Sequence, residues 1–391
     1  MKRAIFQVLR VTFSVCVCSG FANPLRAVFD SILNYVTAYM REKGSLVFLF
    51  AVVLGFAARP MLAVADEGSH AAELLSHGVG ARALGMGSSF VAIADDATAV
   101  YWNPAGLVQI QRRAFAAMYS DSFGAAQGGF LGKGLVEYNF ASYVQQVEGI
   151  GSIGISWIRL GVDDIPYTTF VDVNGNGRLG DFLDKDGDGI KDPGELYIDR
   201  PEVAGYFSNV DNALLISYAR RVHPNFLIGG NLKLLRQSLF ENSGKGFGLD
   251  IGLMVKPLDG LHIGAMLVDA TGTQIRWNTD AEPVFTRDFR FRLGMSYRLP
   301  LPVIGKVTFA ADLETDRKDL QADGDTERIF RFGGEYWLFD VVALRIGAEG
   351  MKLATGAGIH LRFGETALFA DYAFNAHDLG NSQRISISGL F

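Results

Sequence analysis

The chain has 391 residues, of which 49% are hydrophobic, 12% aromatic and only 20% charged, with a mean hydropathy of +0.18. The aromatic content argues against a disordered chain. No cysteine follows Cys18, which excludes a disulfide scaffold, a cysteine-ligated metal centre and a cysteine nucleophile in the main body. The formal net charge is −6, of which residues 1–65 contribute +5 and residues 66–391 contribute −11. An acidic body argues against a nucleic-acid partner, because that affinity comes mostly from Lys and Arg displacing counterions.

The N-terminal part of the chain has the pattern of an export signal. A basic start after Met40 is followed by an apolar run over 45–58 and by small residues that end at Ala65. We therefore predict a leader over 1–65 that is cleaved after Ala65, with an apolar core too short to span a membrane as a helix. Two interpretations of residues 1–39 stay open: translation begins at Met40, or the leader is unusually long or acts as a membrane anchor.

The residues between the leader and position 113 do not alternate between apolar and polar side chains. The glycine-rich run 78–87 has no strand before it, which argues against a dinucleotide-binding turn. Asp95 and Asp96 could form a carboxylate pair for acid–base chemistry, but a helix cap is the better interpretation. Asn103 is predicted to end that helix, because the residue before a proline avoids the helical region.

From residue 113 onward, large apolar side chains alternate with polar or small ones, which indicates strands with one apolar face. In the clearest segment, 289–298, Phe, Phe, Leu, Met and Tyr alternate with Arg, Arg, Gly, Ser and Arg. Glycine, serine and alanine occupy the polar face inside the strands, which favours a crowded barrel lumen over the wet face of a soluble sandwich. We therefore predict an all-β fold, an outer-membrane barrel over 113–391.

Counting the alternating segments predicts about fourteen antiparallel strands. Connections after even-numbered segments are short and those after odd-numbered segments are mostly long, as in barrels with short periplasmic turns and long outer loops. The chain ends on an alternating strand and Phe391, which resembles the signal that outer-membrane barrels present to their insertion machinery. The predicted segments are 113–121, 135–146, 150–161, 209–221, 225–238, 245–256, 260–270, 284–299, 303–315, 326–338, 341–350, 354–363, 366–374 and 381–391.

The run from Arg82 to Leu107, RALGMGSSFVAIADDATAVYWNPAGL, resembles the N-terminal hatch of the FadL family of long-chain fatty acid transporters. It is equally similar to the related PorV- and PorQ-type outer-membrane proteins. The Asn-Pro-Ala triplet that marks the family is Asn103, Pro104 and Ala105. The resemblance covers about residues 66–391 and implies a hatch over 66–112 that plugs the lumen of a fourteen-stranded barrel. It also implies ligand entry from outside and, once the N-terminal segment moves, passage through a kinked strand into the membrane.

Six side chains on the predicted lumen face are candidates for binding the carboxylate of a fatty acid through charge-assisted hydrogen bonds. The alternative, which is the better interpretation of any single arginine, is that they pair with Asp250, Asp312, Glu335 and Glu349 and hold the barrel interior together. The candidates are Arg290, Arg292, Arg331, Arg345, His360 and Arg362.

The predicted outer loop 163–202 is strongly acidic, with eleven acidic and four basic residues. It contains a twelve-residue calcium-loop pattern, because hard oxygens fall at alternate positions around a turn glycine. The alternative is a solvated acidic loop. Without flanking helices, we expect a structural Ca²⁺ within 172–195. The predicted ligands are Asp184, Asp186, Asp188, the carbonyl of Ile190, Asp192 and Glu195, with a weaker half-site at Asp172, Asn174 and Asn176.

These features predict a channel in the outer membrane of a diderm bacterium that takes up long-chain fatty acids or other hydrophobic small molecules. The alternative is a PorV-like scaffold that receives secreted proteins, with an extracellular protein as its partner. An enzyme is not predicted, because the six histidines do not group with Ser or Asp residues as a catalytic barrel requires. Membrane lipid and the barrel-insertion machinery are the other expected partners.

Overall fold

The structure is a computed structural model that describes residues 72–122, 136–185, 191, 193, 195–279, 284–301, 304–316, 328–376 and 381–391. The predicted leader lies outside the described residues, as do four of the predicted calcium ligands, Asp186, Asp188, Ile190 and Asp192. Among the described residues, no helix combines the length and the apolar character needed to cross a membrane.

Four short helical segments precede sixteen strands in the described part of the chain. The helical segments are a 3-10 helix (Glu73–Leu75), α1 (Ala81–Gly85), α2 (Ala99–Trp102) and a second 3-10 helix (Pro104–Gln109). The strands are β1 (Arg113–Ser122), β2 (Val136–Val147), β3 (Gly151–Val171), β4 (Arg200–His223), β5 (Phe226–Leu239), β6 (Asn242–Leu258), β7 (Leu261–Val268), β8 (Thr273–Trp277), β9 (Val284–Arg287), β10 (Arg290–Leu301), β11 (Gly305–Asp316), β12 (Arg328–Leu338), β13 (Val342–Glu349), β14 (Lys352–Phe363), β15 (Thr366–Asn375) and β16 (Ser382–Leu390).

Fourteen of the described strands, β1–β7 and β10–β16, form a closed antiparallel barrel. The first and last strands pair with Ala114 opposite Leu390, which closes the wall. Strand β7 pairs directly with β10, so the β8–β9 hairpin adds no strand to the barrel wall. Closure leaves the wall without an open edge, which a sheet in lipid requires because unpaired backbone groups there are costly. The predicted fourteen-stranded barrel is confirmed.

The two faces of the wall differ as the alternation predicts. In β3, Ile153, Ile155 and Trp157 point outward and are 42%, 51% and 41% exposed, whereas Ser152 and Ser156 point inward and are buried. A bilayer would cover the outward side chains, because apolar surface is favourable in hydrocarbon and costly in water. The large apolar face therefore turns to lipid and the small polar face turns to the lumen.

The outer loop predicted over 162–208 is shorter in the structure, because β3 continues to Val171 and β4 begins at Arg200. The register shifts between Val162 and Ile165, where Asp164 has a positive φ of 58°. Beyond this bulge most side chains on both faces are exposed, so the alternation of buried and exposed side chains stops while the backbone pairing continues. The periodicity marks the membrane-embedded part of the hairpin and misses its extracellular extension.

The connection predicted over 271–283 contains most of a second short hairpin, and the predicted strand 284–299 is divided. The chain turns after β7 at Asp269, whose φ is 55°, and β8 then continues the pairing with the outer part of β6. Strand β9 pairs with β8 rather than with the barrel wall. Segments this short carry too few residues for their alternation to stand out in a sequence.

Candidate functional site: the hatch and the lumen wall

The segment 72–112 crosses the lumen from its extracellular half to its periplasmic end. The hydroxyl of Tyr138, near the outer end of β2, donates to the carbonyl of Leu74 at 3.0 Å. At the other end, Nζ of Lys256 donates to the side chain of Gln109 at 2.8 Å, close to the periplasmic turn after β6. Most side chains between these two points are buried. This segment, which we call the hatch, fills the lumen rather than lining it.

Glycines on the inward face of the wall allow the hatch to approach the strands closely. A Cβ atom added at Gly264 or Gly347 would come within 3.0 Å of hatch backbone, and something would have to shift. The small residues of the polar face therefore make room for the hatch. The wall glycines at which an added Cβ atom would lie within 3.2 Å of a backbone or side-chain atom of the hatch are Gly154, Gly229, Gly252, Gly264, Gly294, Gly333, Gly347 and Gly356.

The Asn-Pro-Ala triplet fixes a bend in the middle of the hatch. Asn103 is fully buried and adopts an extended backbone that ends α2, as the proline after it predicts. Its side-chain oxygen accepts from the backbone N–H of Ala105 at 3.1 Å and caps the second 3-10 helix. Its amide donates to the carbonyls of Val91 and Leu253 at 2.9 and 3.0 Å. The triplet therefore ties two parts of the hatch to β6.

Arg82 connects two parts of the hatch with each other and connects the hatch with the barrel wall. Its guanidinium bonds Asp95 at 2.6 Å and Asp96 at 3.1 Å within the hatch, and Glu335 of β12 at 2.8 Å. Burial alone would raise the pKa of Asp95, but Arg82 and Arg298 together hold that pKa well below its usual range. Asp96 also accepts from the backbone N–H of Thr98 at 2.9 Å, just before α2. The acidic pair thus stabilises a local turn and also forms ion pairs with Arg82. We call the ion pairs of Arg82 with Asp95, Asp96 and Glu335 the latch of the hatch.

Four of the six candidate lumen side chains are paired with carboxylates in this structure. Glu314 accepts from Arg290 at 2.8 Å, from Arg292 at 2.7 Å and from Arg331 at 2.8 Å. The fourth, Arg345, bonds Glu335 at 2.9 Å and lies 2.8 Å from Asp371. Glu314 was not predicted as a partner, although it shares a face of β11 with Asp312 and lies two residues further along the strand.

The other two candidates lie at the periplasmic end of β14. His360 stacks on Phe369 with ring centroids 4.4 Å apart, and its Nδ1 lies 2.8 Å from the carbonyl of Asp340. Arg362 is exposed, and no described residue forms an ion pair with it. The structure therefore separates these two residues from the four buried arginines. A role of any of the six in ligand binding stays a prediction.

A second buried charge cluster was not expected from the sequence. Lys233 of β5 is 1% exposed and bonds Asp250 at 2.6 Å as well as Asp269 at the turn after β7. Asp269 also pairs with Arg287 at 3.2 Å, and Arg287 in turn donates to the carbonyl of Ala72 at the start of the hatch. The sequence around a single lysine between two leucines does not show whether the lysine is paired. Its carboxylate partners are set by the register of the neighbouring strands.

The lumen beside the hatch is tightly filled, whereas its periplasmic mouth is partly open. An internal cavity between the hatch and the wall holds about 10 Å³, which is close to the least volume a water molecule occupies. It is lined by Leu75, Tyr101, Leu215, Lys233, Asp250, Met266, Val268 and Arg292. At the mouth, a cleft of about 320 Å³ separates Val108 of the hatch from Ser152 and the ends of β3 and β4.

The described part of the predicted calcium loop is a set of tight turns. The carboxylate of Asp172 accepts the backbone N–H groups of Gly175 and Gly177 at 2.6 and 2.7 Å. Asp199 is buried and accepts the backbone N–H groups of Val173 and Asp181 at 3.1 and 3.0 Å. Among the described residues, no three acidic or histidine side chains converge as metal ligands.

Of the weaker half-site, the side chains of Asn174 and Asn176 both donate to Asp181, and Asn174 also accepts from the backbone N–H of Asn176 at 3.0 Å. Of the main site, Glu195 is buried and accepts from the backbone N–H of Lys185 at 2.7 Å, beside Asp184. With the other four ligands outside the described residues, the calcium site stays a prediction.

The fold of the chain is similar to that of solved channel structures. The chain is similar to the CymD monoaromatic hydrocarbon channel, with 13% sequence identity, 80% of this chain and 97% of that chain covered, and a TM-score of 0.50. The chain has the FadL-type fold. The toluene transporter TbuX of Ralstonia pickettii and a FadL homologue of Pseudomonas aeruginosa each match at 12% identity over 80% of this chain and 97% of theirs, with TM-scores of 0.48 and 0.45.

No protein-family model matches the chain. No curated protein matches it either. The barrel fold agrees with the predicted location in the outer membrane, and the similar structures CymD and TbuX are named as a channel and a transporter.

Proposed function

We propose that the protein is a FadL-type uptake channel for hydrophobic small molecules, long-chain fatty acids among them, in which the hatch controls passage. The observation that carries this proposal is a separate peptide segment that fills the lumen and is held there by side-chain contacts. Arg82 provides the ionic contact and Asn103 provides the neutral one.

The closed lumen supports a gated route over a permanent pore. A cavity of about 10 Å³ beside the hatch cannot hold a hydrophobic solute, because small-molecule sites usually occupy several hundred Å³. At this cavity, a hydrophobic solute could pass only after the hatch shifts. The cleft of about 320 Å³ at the periplasmic mouth is large enough for a small solute, and it lies where the hatch meets the wall.

A reversible disulfide between the hatch and the wall tests this proposal. A Cβ atom built on Gly154 lies 3.1 Å from Cγ1 of Val100, so cysteines at these positions lie close to the spacing of a disulfide. Residues 66–391 contain no natural cysteine, so the two introduced cysteines are the only thiols in this part of the chain. We expect cells that depend on Val100→Cys/Gly154→Cys for uptake of labelled oleate or toluene to lose uptake on oxidation and regain it on reduction.

Each single-cysteine variant serves as the matched control, since it introduces one of the two changes without the tether. Uptake that persists when the disulfide is fully formed would contradict the gating role of the hatch. Absence of uptake by the unsubstituted chain, in cells that display it at the surface, would contradict the channel and favour the scaffold alternative.

We also propose that the loop 172–195 binds one structural Ca²⁺ through the ligand set predicted from the sequence. The support is the spacing of its oxygens together with the turns already formed around Asp172 and Asp199. Calcium would hold the hairpin by drawing several carboxylates to one point.

A further inference from the structure

Arg384 of β16 is a buried lumen cation that forms no ion pair with any residue the structure describes. It is 8% exposed and lies between Ser382 and Ser386 on the inward face of the strand. Its Nη1 donates to the side-chain oxygen of Asn375 at 2.8 Å. Its Nε is buried and has no hydrogen-bond partner. A guanidinium stays charged in proteins, so Arg384 cannot escape this environment by losing its charge.

The other buried cations of the lumen show that this situation is unusual for the molecule. Each of them lies within 3.2 Å of a carboxylate, as buried charges normally require. The pairs are Lys233 with Asp250, Arg287 with Asp269, Arg292 with Glu314, Arg331 with Glu314, and Arg345 with Glu335. Among the described residues, no carboxylate is paired with Arg384. Glu349 acts on it through space but bonds Arg331 and Ser88 instead.

A second unsatisfied polar group lies directly beside Arg384. Ser120 of β1 is opposite Arg384 in the β1–β16 register, it is fully buried, and its Oγ has no hydrogen-bond partner. Side chains in directly opposite positions of an antiparallel pair have Cβ atoms about 4.5–5.5 Å apart. Tyr138 of β2 is the next residue in the same cross-strand row. One patch of wall therefore offers a cation and a hydroxyl with unused hydrogen-bonding capacity.

We propose that Arg384 and Ser120 form a binding site for the carboxylate of an amphiphilic solute, an inference that rests on the uptake function proposed above. An ionised carboxylate has only acceptors, which match the free N–H of Arg384 and the hydroxyl of Ser120. It also supplies the negative charge that the site lacks. Asn375 cannot supply that charge, because its side chain is neutral.

The hatch covers this site, so ligand binding competes with hatch–wall hydrogen bonds. The backbone N–H of Ala81 donates to Oγ of Ser386 at 2.7 Å, two residues from Arg384 on the same face. The amide of Asn375 donates to the carbonyl of Leu84 at 3.0 Å. Nε of Arg384 is buried, and these two hydrogen bonds hold the hatch against the wall on either side of it. We therefore expect a carboxylate to reach Nε only when this part of the hatch is displaced. Occupancy of the site therefore loosens α1.

Binding of two probes that differ only in their head group tests the site. The barrel from residue 66 onward would be titrated in detergent with dodecanoate and with dodecanol, and bound ligand would be counted by native mass spectrometry. We expect the unsubstituted barrel to prefer dodecanoate by about tenfold or more, the effect of one charge-assisted hydrogen bond. Arg384→Met should abolish the preference and keep dodecanol binding, while Ser120→Ala should weaken it.

The matched control is Arg113→Met, which removes an exposed arginine at the periplasmic start of β1. It should leave the preference unchanged. A preference for dodecanoate that survives in Arg384→Met would overturn the proposed site, whereas the uptake function would stand if either probe binds and is transported. Failure of the unsubstituted barrel to bind or transport either probe would instead contradict the uptake function and, with it, this site.

Two measurements separate a ligand site from a structural arginine. In the ligand-free barrel, Arg384→Met should have a midpoint of heat-induced unfolding no lower than that of the unsubstituted protein, because it removes a charge without a partner. Arg292→Met should lower the midpoint, because it leaves Glu314 with one fewer arginine. Dodecanoate should also speed hydrogen exchange at the Ala81 amide and leave the Val91 amide, which is bonded to Asp312, unchanged. A lowered midpoint for Arg384→Met, or an Ala81 amide insensitive to dodecanoate, would overturn the proposal.

Discussion

The lumen and the extracellular hairpin contain the same acidic residue types, but their carboxylates have different partners. In the lumen, Glu314 bonds three arginines and Glu335 bonds two. In the hairpin, Asp172 and Asp199 accept backbone N–H groups of their own loop. The lumen charges nearly balance each other, whereas the stretch 163–202 keeps a net charge of −7.

Burial explains this difference. A charge inside the barrel loses its hydration and has to recover the cost from an opposite charge, whereas an exposed carboxylate stays solvated without one. Acidic residues of the lumen therefore hold strands and hatch together. Acidic residues of the hairpin leave negative charge available for a cation from solution.

The largest expected effect comes from removing the carboxylate shared by three arginines. Glu314→Gln leaves Arg290, Arg292 and Arg331 without this partner, and we expect it to lower the free energy of unfolding by about 3–5 kcal/mol. Urea-induced unfolding followed by tryptophan fluorescence would measure this change. Glu202→Gln, at an exposed pair of the hairpin, is the control and should change stability by less than about 1 kcal/mol. An equal loss of unfolding free energy in both variants would contradict the proposed difference between the lumen and the hairpin.

A smaller effect is expected when the latch of the hatch is broken. Arg82→Met removes one cation from three carboxylates, and we expect it to destabilise the docked hatch by about 2–3 kcal/mol. The measurement is hydrogen exchange of the hatch amides together with conductance in planar bilayers, both of which should rise. Arg112→Met breaks an exposed pair with Glu365 and should leave both unchanged. A hatch as protected in Arg82→Met as in the control would contradict the latch.

The same latch should depend on pH in a defined direction. Because the pKa of Asp95 is lowered in the folded protein, its stabilisation is fully present above the ordinary value of about 3.9 and is lost as the pH falls below it. The contribution of Asp95 to hatch opening should therefore be constant between pH 7 and pH 5, and it should increase the conductance below about pH 4. In Arg82→Met the acid-induced increase should be reduced, since the main cation that holds Asp95 ionised is gone. An increase that begins near neutral pH would point to another group.

The smallest expected effect concerns the hairpin. Calcium should slow proteolysis between 163 and 202 by a few-fold, roughly 1 kcal/mol or less of local stability, because it ties several carboxylates together. Asp184→Asn should remove the protection, while Asp259→Asn, in a periplasmic turn, should not. Equal cleavage rates in calcium and in chelator would exclude the predicted site. In either case the lumen pairs should be unaffected.

The strands of the barrel wall were predicted well, because each of them repeats the same alternation of large apolar residues with polar or small ones. Alternation in a segment such as 289–298 follows directly from lipid on one face and lumen on the other. The prediction was wrong where that two-sided environment ends, as in the extensions of β3 and β4 to Val171 and from Arg200. It was also wrong where elements are only four or five residues long, as in β8 and β9.

The candidate site was less predictable, because it depends on which strands are neighbours. The arginines of β10 and β12 could be placed on the lumen face from their spacing, but their shared partner Glu314 follows only from the pairing of β11 with both strands. Arg384 and Ser120 are 264 positions apart in the chain and meet because the last strand closes on the first. No local pattern links them.

The sequence alone determined the barrel, its approximate strand number, its lipid-facing side and the separate hatch segment, because periodic burial and short turns are local properties of the chain. The tertiary structure decided which lumen charges neutralise one another, which glycines admit the hatch, and that one buried arginine has no carboxylate partner among the described residues. These depend on register and closure, which bring distant residues together at distances of a few ångströms, where desolvation makes each unpaired charge costly.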